Sequence, residues 1–301
     1  MSETEYSHEP VLLHQSVNHL ITNKDGVYAD VTFGGGGHSR CILESLTSNG
    51  KLYALDQDEA ALKNANPDSR LILIKSNFRY LKKYLRYYGE TKIDGILADL
   101  GVSSYHFDAY ERGFSFHSDA PLDMRMNQDQ EITAEDIIMN SSEADLASIF
   151  GNYGEVTNAK KIAAQLVKDR KQIRFSRCQF FADWAAPFIY GKRNKYLAQL
   201  FQALRIAVNE ELQSLQELLE QSLDILKPGG RLVVISYHSL EDRMVKQFLK
   251  QGKLEEDPHD MFGKQTKQFK LIVKDAIVPD EQEIKINPRS RSGKMRIGER
   301  I

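Results

Sequence analysis

Short apolar runs alternate with helix-like segments through residues 26–100 of the chain. The apolar runs are 26–33, 51–56, 70–75 and 92–100. The segments with helical patterning between them are 38–47, 58–66 and 78–88. Runs this apolar are typical of strands that are buried on both faces, as in a parallel sheet covered by helices. The pattern therefore predicts a β-α-β-α-β-α-β half with right-handed crossovers.

The pattern changes after residue 104. Residues 105–132 are rich in aromatic, charged and turn-forming side chains and predict loops, whereas residues 133–226 follow a helical period. The Ser/Thr-x-x-acid spacing of helix N-caps occurs at two places in this helical stretch, which are Thr133 with Asp136 and Ser142 with Asp145. The motif "KPGG" (227–230) predicts the end of the last helix.

Strand-like sequence resumes after the helical stretch. Its predicted elements are strands at 231–236, 269–274 and 294–300 and a helix at 239–251. The predicted fold class is α/β, with a Rossmann-like and mostly parallel sheet that an all-α insertion interrupts. We place the discontinuous α/β domain at 1–104 and 209–301, and the inserted helical domain at 105–208.

The composition narrows the class of protein. There is no apolar run of about 18 residues or more, so no membrane span is predicted. The polar, acidic start "MSETEYSHEP" does not resemble a secretory signal. The two cysteines, Cys41 and Cys178, suit a reducing cytoplasm. We therefore predict a cytoplasmic protein. The two cysteines form no metal-binding pattern, so we predict no bound metal.

Basic residues are concentrated in two places although the net charge is only −2. The tail 286–300 holds five Lys or Arg residues, namely Arg289, Arg291, Lys294, Arg296 and Arg300. A second basic cluster lies within 160–177. Such patches are able to bind a polyanion whatever the net charge is, but they also occur as ordinary solvated surface. The sequence alone leaves both interpretations open.

Four consecutive glycines follow the first predicted strand, in "DVTFGGGGHSR" (30–40). The dinucleotide fingerprint G-x-G-x-x-G fails here because Ser39 stands where its third glycine would be. No Lys-Ser/Thr pair follows, so the loop is not a P-loop either. The spacing of Asp30, Gly34 and Gly36 instead resembles motif I of S-adenosylmethionine-dependent methyltransferases. In that motif the glycines make room for the methionine and ribose of the cofactor.

Other candidate residues follow the next three strands. Asp56 ends the second strand, where an acid accepts the ribose hydroxyls of NAD or of S-adenosylmethionine. Phe78 follows the third strand and is a candidate for adenine contact, or else a core aromatic. Asp99 ends the fourth, buried strand, where a carboxylate needs partners. A nicotinamide oxidoreductase stays open as an alternative because it shares the acid at the second strand.

Several blocks in this order are similar to one known family, the bacterial small-subunit ribosomal RNA cytosine-N4 methyltransferases. They are "HEPVLLHQSV" (8–17), "DVTFGGGGHSR" (30–40), "ALDQD" (54–58), "IDGILADLGVSS" (93–104), "ERGFSFHSDAPLDMRM" (111–126), "FQALRIAVNEEL" (201–212), "LKPGGRLVVISYHSLEDRMVK" (226–246) and "NPRSRSGKMR" (287–296). The resemblance spans nearly the whole chain. It implies a class I methyltransferase sheet, with the insertion recognising the substrate.

The resemblance also implies the chemistry and the site. The activity would be methylation of the exocyclic N4 of one cytidine in the decoding region of 16S ribosomal RNA, with S-adenosylmethionine as cofactor and the small ribosomal subunit as partner. The cofactor contacts that it implies are Gly34, Gly36, Gly37, His38, Asp56, Phe78 and Asp99. The family usually has Pro-Gln after "DLGVSS", and this chain has Tyr105-His106 instead. His106 is therefore the candidate for a replacement cofactor contact. The family's "TRTFQA" is "LAQLFQA" (197–203) here, a departure confined to the insertion.

The substrate side gives further candidates. We assign Asp99 the catalytic role, as an acceptor for hydrogen of the amino group. Arg125 and His238 are candidate substrate contacts, and Ser239 with Asp242 has the spacing of a capping box. Arg289, Arg291 and Lys294 are expected to meet the RNA backbone. The open alternatives are another RNA or a protein substrate, and a ribosome-assembly factor without catalysis. The oligomeric state, including a homodimer, also stays open.

Overall fold

The computed structural model describes residues 10–102, 110–254 and 267–301. The chain divides into two compact units, one made of Met1–Gly101 with Leu212–Ile301 and the other of Val102–Glu211. In the part of the chain that the structure describes, no helix is both long and apolar enough to cross a membrane.

The first unit is built on a seven-stranded sheet with the order β3-β2-β1-β4-β5-β7-β6. The strands are β1 (Val27–Asp30), β2 (Lys51–Asp56), β3 (Leu71–Lys75), β4 (Ile93–Asp99), β5 (Leu226–Ser236), β6 (Phe269–Leu271) and β7 (Lys294–Arg300). Strands β1 to β5 are parallel to one another, while β7 pairs antiparallel with both β5 and β6. The predicted α/β class with a mostly parallel, Rossmann-like sheet is confirmed.

The helices follow the alternation that the sequence predicts. In chain order they are α1 (Leu13–Leu20), α2 (Gly37–Ser45), α3 (Glu59–Leu62), α4 (Leu81–Tyr87), α5 (Ala134–Asn140), α6 (Glu143–Ser148), α7 (Ala159–Asp169), α8 (Cys178–Trp184), α9 (Arg193–Asn209), α10 (Glu211–Ile225), α11 (Ser239–Gln251) and α12 (Glu281–Ile286). Single 3-10 turns lie at Phe78–Tyr80, Tyr110–Arg112, Ala186–Phe188 and Pro288–Ser292, and a π turn lies at Ile149–Tyr153.

The sheet is apolar on both faces because its strands contribute alternate residues to two separate cores. On β2, Leu52 packs into a core that includes α1 and α2, whereas Tyr53 packs into a core that includes α10 and α11. Both side chains are almost completely buried. This alternation explains why the strands are apolar without a polar face, and it leaves the strand ends as the place for polar groups.

The helix before the "KPGG" motif ends where the motif predicts, although the motif itself lies inside β5. Helix α10 ends at Ile225 and β5 begins at once with Leu226, which pairs with Ile93 of β4. The next pair is Arg231 with Gly95, so four residues of β5 bulge opposite one residue of β4. Gly229, with φ of +81°, and the proline before it suit a bulge because neither fits a regular ladder.

The second unit packs its helices around an apolar core of its own. The two predicted N-caps of α5 and α6 are confirmed: Thr133 forms a full capping box with Asp136, and Ser142 accepts from the amide of Asp145. The loop 120–130 is held to this unit by hydrogen bonds to a buried side chain. The buried Asn209 amide accepts from Met126 N at 2.7 Å and donates to Met124 O at 2.8 Å, which holds Met124 at a φ of +63°.

Candidate functional site

The strand order brings the predicted cofactor residues to one edge of the sheet. Parallel strands β3, β2, β1 and β4 are consecutive neighbours, so their carboxyl ends lie side by side. Phe78 follows β3, Asp56 ends β2, the glycine loop follows β1 and Asp99 ends β4. The carboxyl edge of a parallel sheet is where open α/β folds bind their ligands.

The glycine loop begins by fixing Asp56. Gly34 has a φ of +52°, and its amide donates to Asp56 Oδ2 at 2.8 Å. The amide of Asp58 donates to Asp56 Oδ1, also at 2.8 Å. Each oxygen of the half-buried carboxylate therefore accepts from the backbone, which sets the direction in which Asp56 points.

Gly36 and Gly37 make room for protein atoms. This corrects the expectation that the space beside these glycines is left for the cofactor. Gly36 has a φ of +74°, and a Cβ there would lie 2.8 Å from the Phe33 ring. A Cβ at Gly37 would lie 2.2 Å from Pro10 Cγ. The side-chain space at these two positions is thus filled by the chain itself, and only their backbone is available to a ligand.

Gly35 differs from the glycines on either side. It is exposed, and a Cβ there would meet no atom within 4 Å. Helix α2 then begins at Gly37 without a side-chain N-cap. The first backbone N–H groups of an α-helix have no partner within the helix, and they favour a negatively charged group. The open face of the loop and the start of α2 therefore form a polar cradle.

Asp30 is the buried centre of this edge. Its side chain is completely inaccessible, and it accepts from Ser39 Oγ at 2.6 Å and from the amide of Thr32 at 3.1 Å. Burial raises the pKa of Asp30 to about 6 despite these donors. The acid of the predicted motif I thus holds the glycine loop to β1 and α2.

Asp99 is held next to this network. Its amide donates to Thr32 Oγ1 at 2.7 Å, and its Oδ1 accepts from the Tyr237 hydroxyl at 2.7 Å. Burial raises the pKa of Asp99 to about 7, and the Tyr237 hydrogen bond opposes that rise. The expectation that a carboxylate at this strand end needs partners is confirmed.

His38 contacts protein with its side chain. Its Nε2 lies 3.2 Å from Val11 O, and its Nδ1 lies 3.8 Å from Asp99 Oδ2. Burial lowers the pKa of His38 to about 4, so the ring is neutral at physiological pH. Because Val11 O is only an acceptor, Nε2 carries the hydrogen and Nδ1 keeps its lone pair. The predicted cofactor contact of His38 can therefore come from its backbone.

Three polar side chains of this edge were not predicted as catalytic or cofactor-binding residues, and they are Thr32, Ser39 and Tyr237. Thr32 and Ser39 lie two and nine residues after Asp30, inside the glycine motif. Their position close to this acid in the sequence could have predicted that they contact it. Tyr237 follows the end of β5, the strand next to β4 in the sheet.

The remaining cofactor candidates are Phe78 and His106. Phe78 begins the 3-10 turn after β3 and packs partly buried against the core that includes α10 and α11. His106 lies outside the residues that the structure describes, so its cofactor contact stays a prediction.

Two predicted substrate residues, Arg125 and His238, form hydrogen bonds with other groups of the protein. Arg125 donates from Nε and Nη2 to the two oxygens of Asp123 at 2.8 and 2.9 Å, and from Nη1 to the carbonyls of Gln128 and Gln130. His238 is the N-cap of α11, and its Nε2 lies 3.1 Å from Glu241 Oε1. A substrate contact by either side chain stays a prediction.

The predicted capping box of Ser239 with Asp242 was wrong by one residue. The box of α11 is formed by His238 and Glu241. Asp242 instead accepts from Arg296 Nε at 2.6 Å and lies 3.6 Å from Lys294 Nζ. Lys294 is thus ion-paired, and Arg289 and Arg291 lie exposed in the 3-10 turn Pro288–Ser292.

Comparison with known proteins places the chain in a family. The profile of the MraW methylase family matches residues 5–301. Ribosomal RNA small subunit methyltransferase H of Flavobacterium johnsoniae is 52% identical, over 100% of this chain and 100% of the relative. The protein of the same name from Cytophaga hutchinsonii is 54% identical, over 97% of this chain and 99% of the relative. Among solved structures, an rRNA methylase from Streptococcus thermophilus has a TM-score of 0.43 at 14% identity, over 96% of this chain and 93% of that chain, which is too distant to decide anything here. The chain therefore belongs to the MraW methylase family, as its sequence blocks indicate.

Proposed function

We propose that this chain transfers a methyl group from S-adenosylmethionine to the exocyclic N4 of a cytidine in the decoding region of the small-subunit ribosomal RNA. One observation carries the proposal: neighbouring strand ends present an aromatic ring, a fixed acid, an open glycine loop and a second acid in succession. Membership of a methylase family supports methyl transfer. The names of the relatives support small-subunit ribosomal RNA as the substrate. The N4 position rests on the resemblance of the sequence blocks.

The residues of the sheet edge fit this cofactor. Asp56, oriented by the amides of Gly34 and Asp58, accepts the ribose hydroxyls. The exposed Gly35 and the N-terminal amides of α2 receive the carboxylate of the methionine part. Phe78 offers a ring for the adenine. When bound, S-adenosylmethionine supplies an electrophilic methyl group on a sulfonium, so the chain itself needs no covalent intermediate.

Asp99 is the group that prepares the nucleophile. The lone pair of a cytosine amino group is delocalised into the ring, which makes the nitrogen a poor nucleophile. A carboxylate that accepts a hydrogen bond from the amino group localises the lone pair on nitrogen and then accepts its proton. Holding the amino group and the methyl donor in line lowers the barrier further.

The RNA is proposed to bind through exposed basic side chains. Arg289 and Arg291 project from the 3-10 turn of the tail and are suited to phosphate contacts. We assign substrate recognition to the unit Val102–Glu211, whose helix α7 exposes Lys160, Lys161 and Lys168. A base in structured RNA must leave its stack to be methylated. Action on ribosomal subunits would place the protein in the cytoplasm.

Methyl transfer with nucleoside identification tests the proposal. The purified chain is incubated with S-adenosylmethionine labelled in the methyl group and with small subunits or free 16S RNA that lack the modification. We expect label in N4-methylcytidine at one position, and Asp56→Ala should lose it because the ribose hydroxyls lose their acceptor. Label in another nucleoside would contradict the proposed atom, and label in neither RNA nor subunit would contradict the function.

A further inference from the structure

Tyr237 forms a direct hydrogen bond to Asp99, and the proposed function gives Tyr237 no role. Its hydroxyl donates to Asp99 Oδ1 at 2.7 Å. Asp99 pairs with Ile235 across β4 and β5, so Tyr237 stands just beyond the end of the neighbouring strand. The chain turns beneath its ring at Gly101, where φ is +93° and a Cβ would lie 3.4 Å from the ring. The phenol therefore reaches the carboxylate from one fixed side.

The backbone that carries Tyr237 is itself held. Its amide donates to Glu241 Oε2 at 3.0 Å, and Glu241 is only 2% exposed. The ring packs partly buried against an apolar core that includes Ile235 and Met295. Because both the backbone and the ring of Tyr237 are held, its hydroxyl has a fixed position. The hydrogen bond therefore restricts the orientation of the Asp99 carboxylate.

The second oxygen of Asp99 has a different environment. Asp99 Oδ2 faces His38 Nδ1 at 3.8 Å, and this nitrogen carries the lone pair of a neutral ring. In the part of the chain that the structure describes, no donor is hydrogen-bonded to Oδ2. The side chain of Asp99 keeps 21% of its surface exposed. One oxygen is thus committed to Tyr237 and the other is left to accept.

We propose that Tyr237 is a positioning residue, which holds Asp99 through Oδ1 so that Oδ2 is the oxygen that takes the proton of the substrate amino group. This inference rests on the function proposed above. In the proton transfer the N–H bond breaks, its electron pair stays on nitrogen, and a new O–H bond forms at Oδ2. Tyr237 gives up no proton and contacts Asp99 rather than the substrate.

The charges around Asp99 make this hydrogen bond important near neutral pH. Burial and the negative charges of Asp30, Glu241 and Glu283 raise the pKa of Asp99 to about 7. His38 is neutral and supplies no positive charge, while burial together with Asp99 raises the pKa of Tyr237 well above its ordinary value and keeps its hydroxyl protonated as a donor. The Tyr237 hydrogen bond stabilises the charged carboxylate, and its loss raises the pKa of Asp99.

Tyr237→Phe tests the inference through pH dependence. Loss of one hydrogen bond to a charged group should move the Asp99 pKa upward by about one to two pH units. The acidic limb of kcat/KM for methyl transfer should move by the same amount. The variant would then lose about fivefold to fiftyfold at pH 7 and recover to within about twofold near pH 9. A purely structural role would instead give the same loss at every pH.

A second arm needs neither cofactor nor RNA. Carboxyl carbon-13 titration of the unliganded protein reports the Asp99 pKa, with Asp99→Asn identifying the signal. Tyr53→Phe is the matched control, since Tyr53 also donates to a carboxylate, Glu90 Oε1 at 3.4 Å, on the same sheet. It should leave the Asp99 titration and the pH profile as they are. Replacement of Tyr237 by 3-fluorotyrosine keeps the shape, strengthens the donor and should lower the Asp99 pKa.

The pH profile and the carboxyl titration together distinguish failure of the positioning role from failure of the proposed function. An Asp99 titration that is the same in Tyr237→Phe and in the fluorotyrosine protein would overturn the positioning role, whatever the activity. If the titration moves but the pH profile of methyl transfer does not, Oδ2 is not the proton acceptor. If the unmodified protein methylates no RNA at all, the proposed function fails while the titration still decides the contact between Tyr237 and Asp99.

Discussion

Asp99 at the sheet edge and Arg125 in the loop 120–130 are both polar residues that the sequence marks for function, yet their surroundings differ. Arg125 directs all three of its nitrogens at protein oxygens, two on Asp123 and the rest on backbone carbonyls. Asp99 has one oxygen engaged by Tyr237, and its other oxygen faces a lone pair. Residue type alone therefore does not separate a structural group from a chemical one. What separates them, among the residues that the structure describes, is the hydrogen-bonding capacity that remains unused.

The largest effect that would test this comparison is expected at Asp99. Asp99→Asn removes the proton acceptor, so methyl transfer should fall by a factor of about 10² to 10³. The matched control is Asp94→Asn on the same strand, where the carboxylate accepts from Val27 N and Lys227 Nζ. Single-turnover rates and thermal unfolding of both variants check the prediction. Asp94→Asn should affect stability and leave turnover in place, and the reverse pattern would refute the assignment.

Arg125→Ala should act on stability. It removes the hydrogen bonds that tie the loop to Asp123, Gln128 and Gln130, so the free energy of unfolding should fall by about 2–4 kcal/mol. Arg174→Ala, in the same unit, breaks an ion pair whose arginine is 78% exposed, and it should change stability by less than about 1 kcal/mol. Urea denaturation measures both. An unchanged stability in Arg125→Ala, combined with lost RNA binding, would make Arg125 a substrate contact after all.

The glycine loop provides the next contrast. Gly37→Ala places a Cβ 2.2 Å from Pro10 Cγ, and such overpacking should destabilise the protein by about 1–3 kcal/mol. Gly35→Ala meets no atom within 4 Å and should leave stability unchanged. Its new methyl group stands on the open face instead, so the affinity for S-adenosylmethionine should fall. Calorimetric titration and thermal unfolding distinguish the two effects, and equal destabilisation by both variants would contradict the contrast.

The smallest effect is expected in the basic tail. Changing Arg289 and Arg291 together to Gln should lower the slope of log affinity for RNA against log salt by about 1.5, because each phosphate contact contributes roughly 0.7–0.9. Lys294→Gln removes a single charge, so it should change the slope less. Filter binding across a salt series measures the slopes. Affinity for S-adenosylmethionine should stay constant throughout, and a slope that ignores all three residues would exclude the tail from the RNA interface.

The strands and their ends could be predicted from the sequence because both depend on local pattern. A strand buried on two faces is apolar throughout, so β2 is predicted at 51–56 and observed at Lys51–Asp56. Acids that follow such strands, such as Asp56 and Asp99, then fall at the carboxyl edge in any parallel arrangement. The family resemblance adds which of them meet the cofactor.

The partners of those residues could not be predicted in the same way. Tyr237 and Asp99 are separated by 138 positions, and their contact depends on β5 lying next to β4. The space beside Gly37 is filled by Pro10, which no pattern within the loop reveals. The capping box at α11 was placed one residue too late because His238 is an uncommon N-cap, whereas Ser239 belongs to the preferred set. Tertiary neighbours decide the first two cases, whereas the third depends on a local N-cap preference.

The position of β7 has a consequence for the order in which this protein is made. Strand β7, Lys294–Arg300, lies between β5 and β6 and pairs with both. The sheet is therefore incomplete until the ribosome has translated the codons of β7. The unit Val102–Glu211 is one continuous segment, so every residue of its core is available about ninety positions earlier. During synthesis the insertion can be compact before β7 has been made, so a chain cut short before β7 keeps a folded insertion and an unfinished sheet.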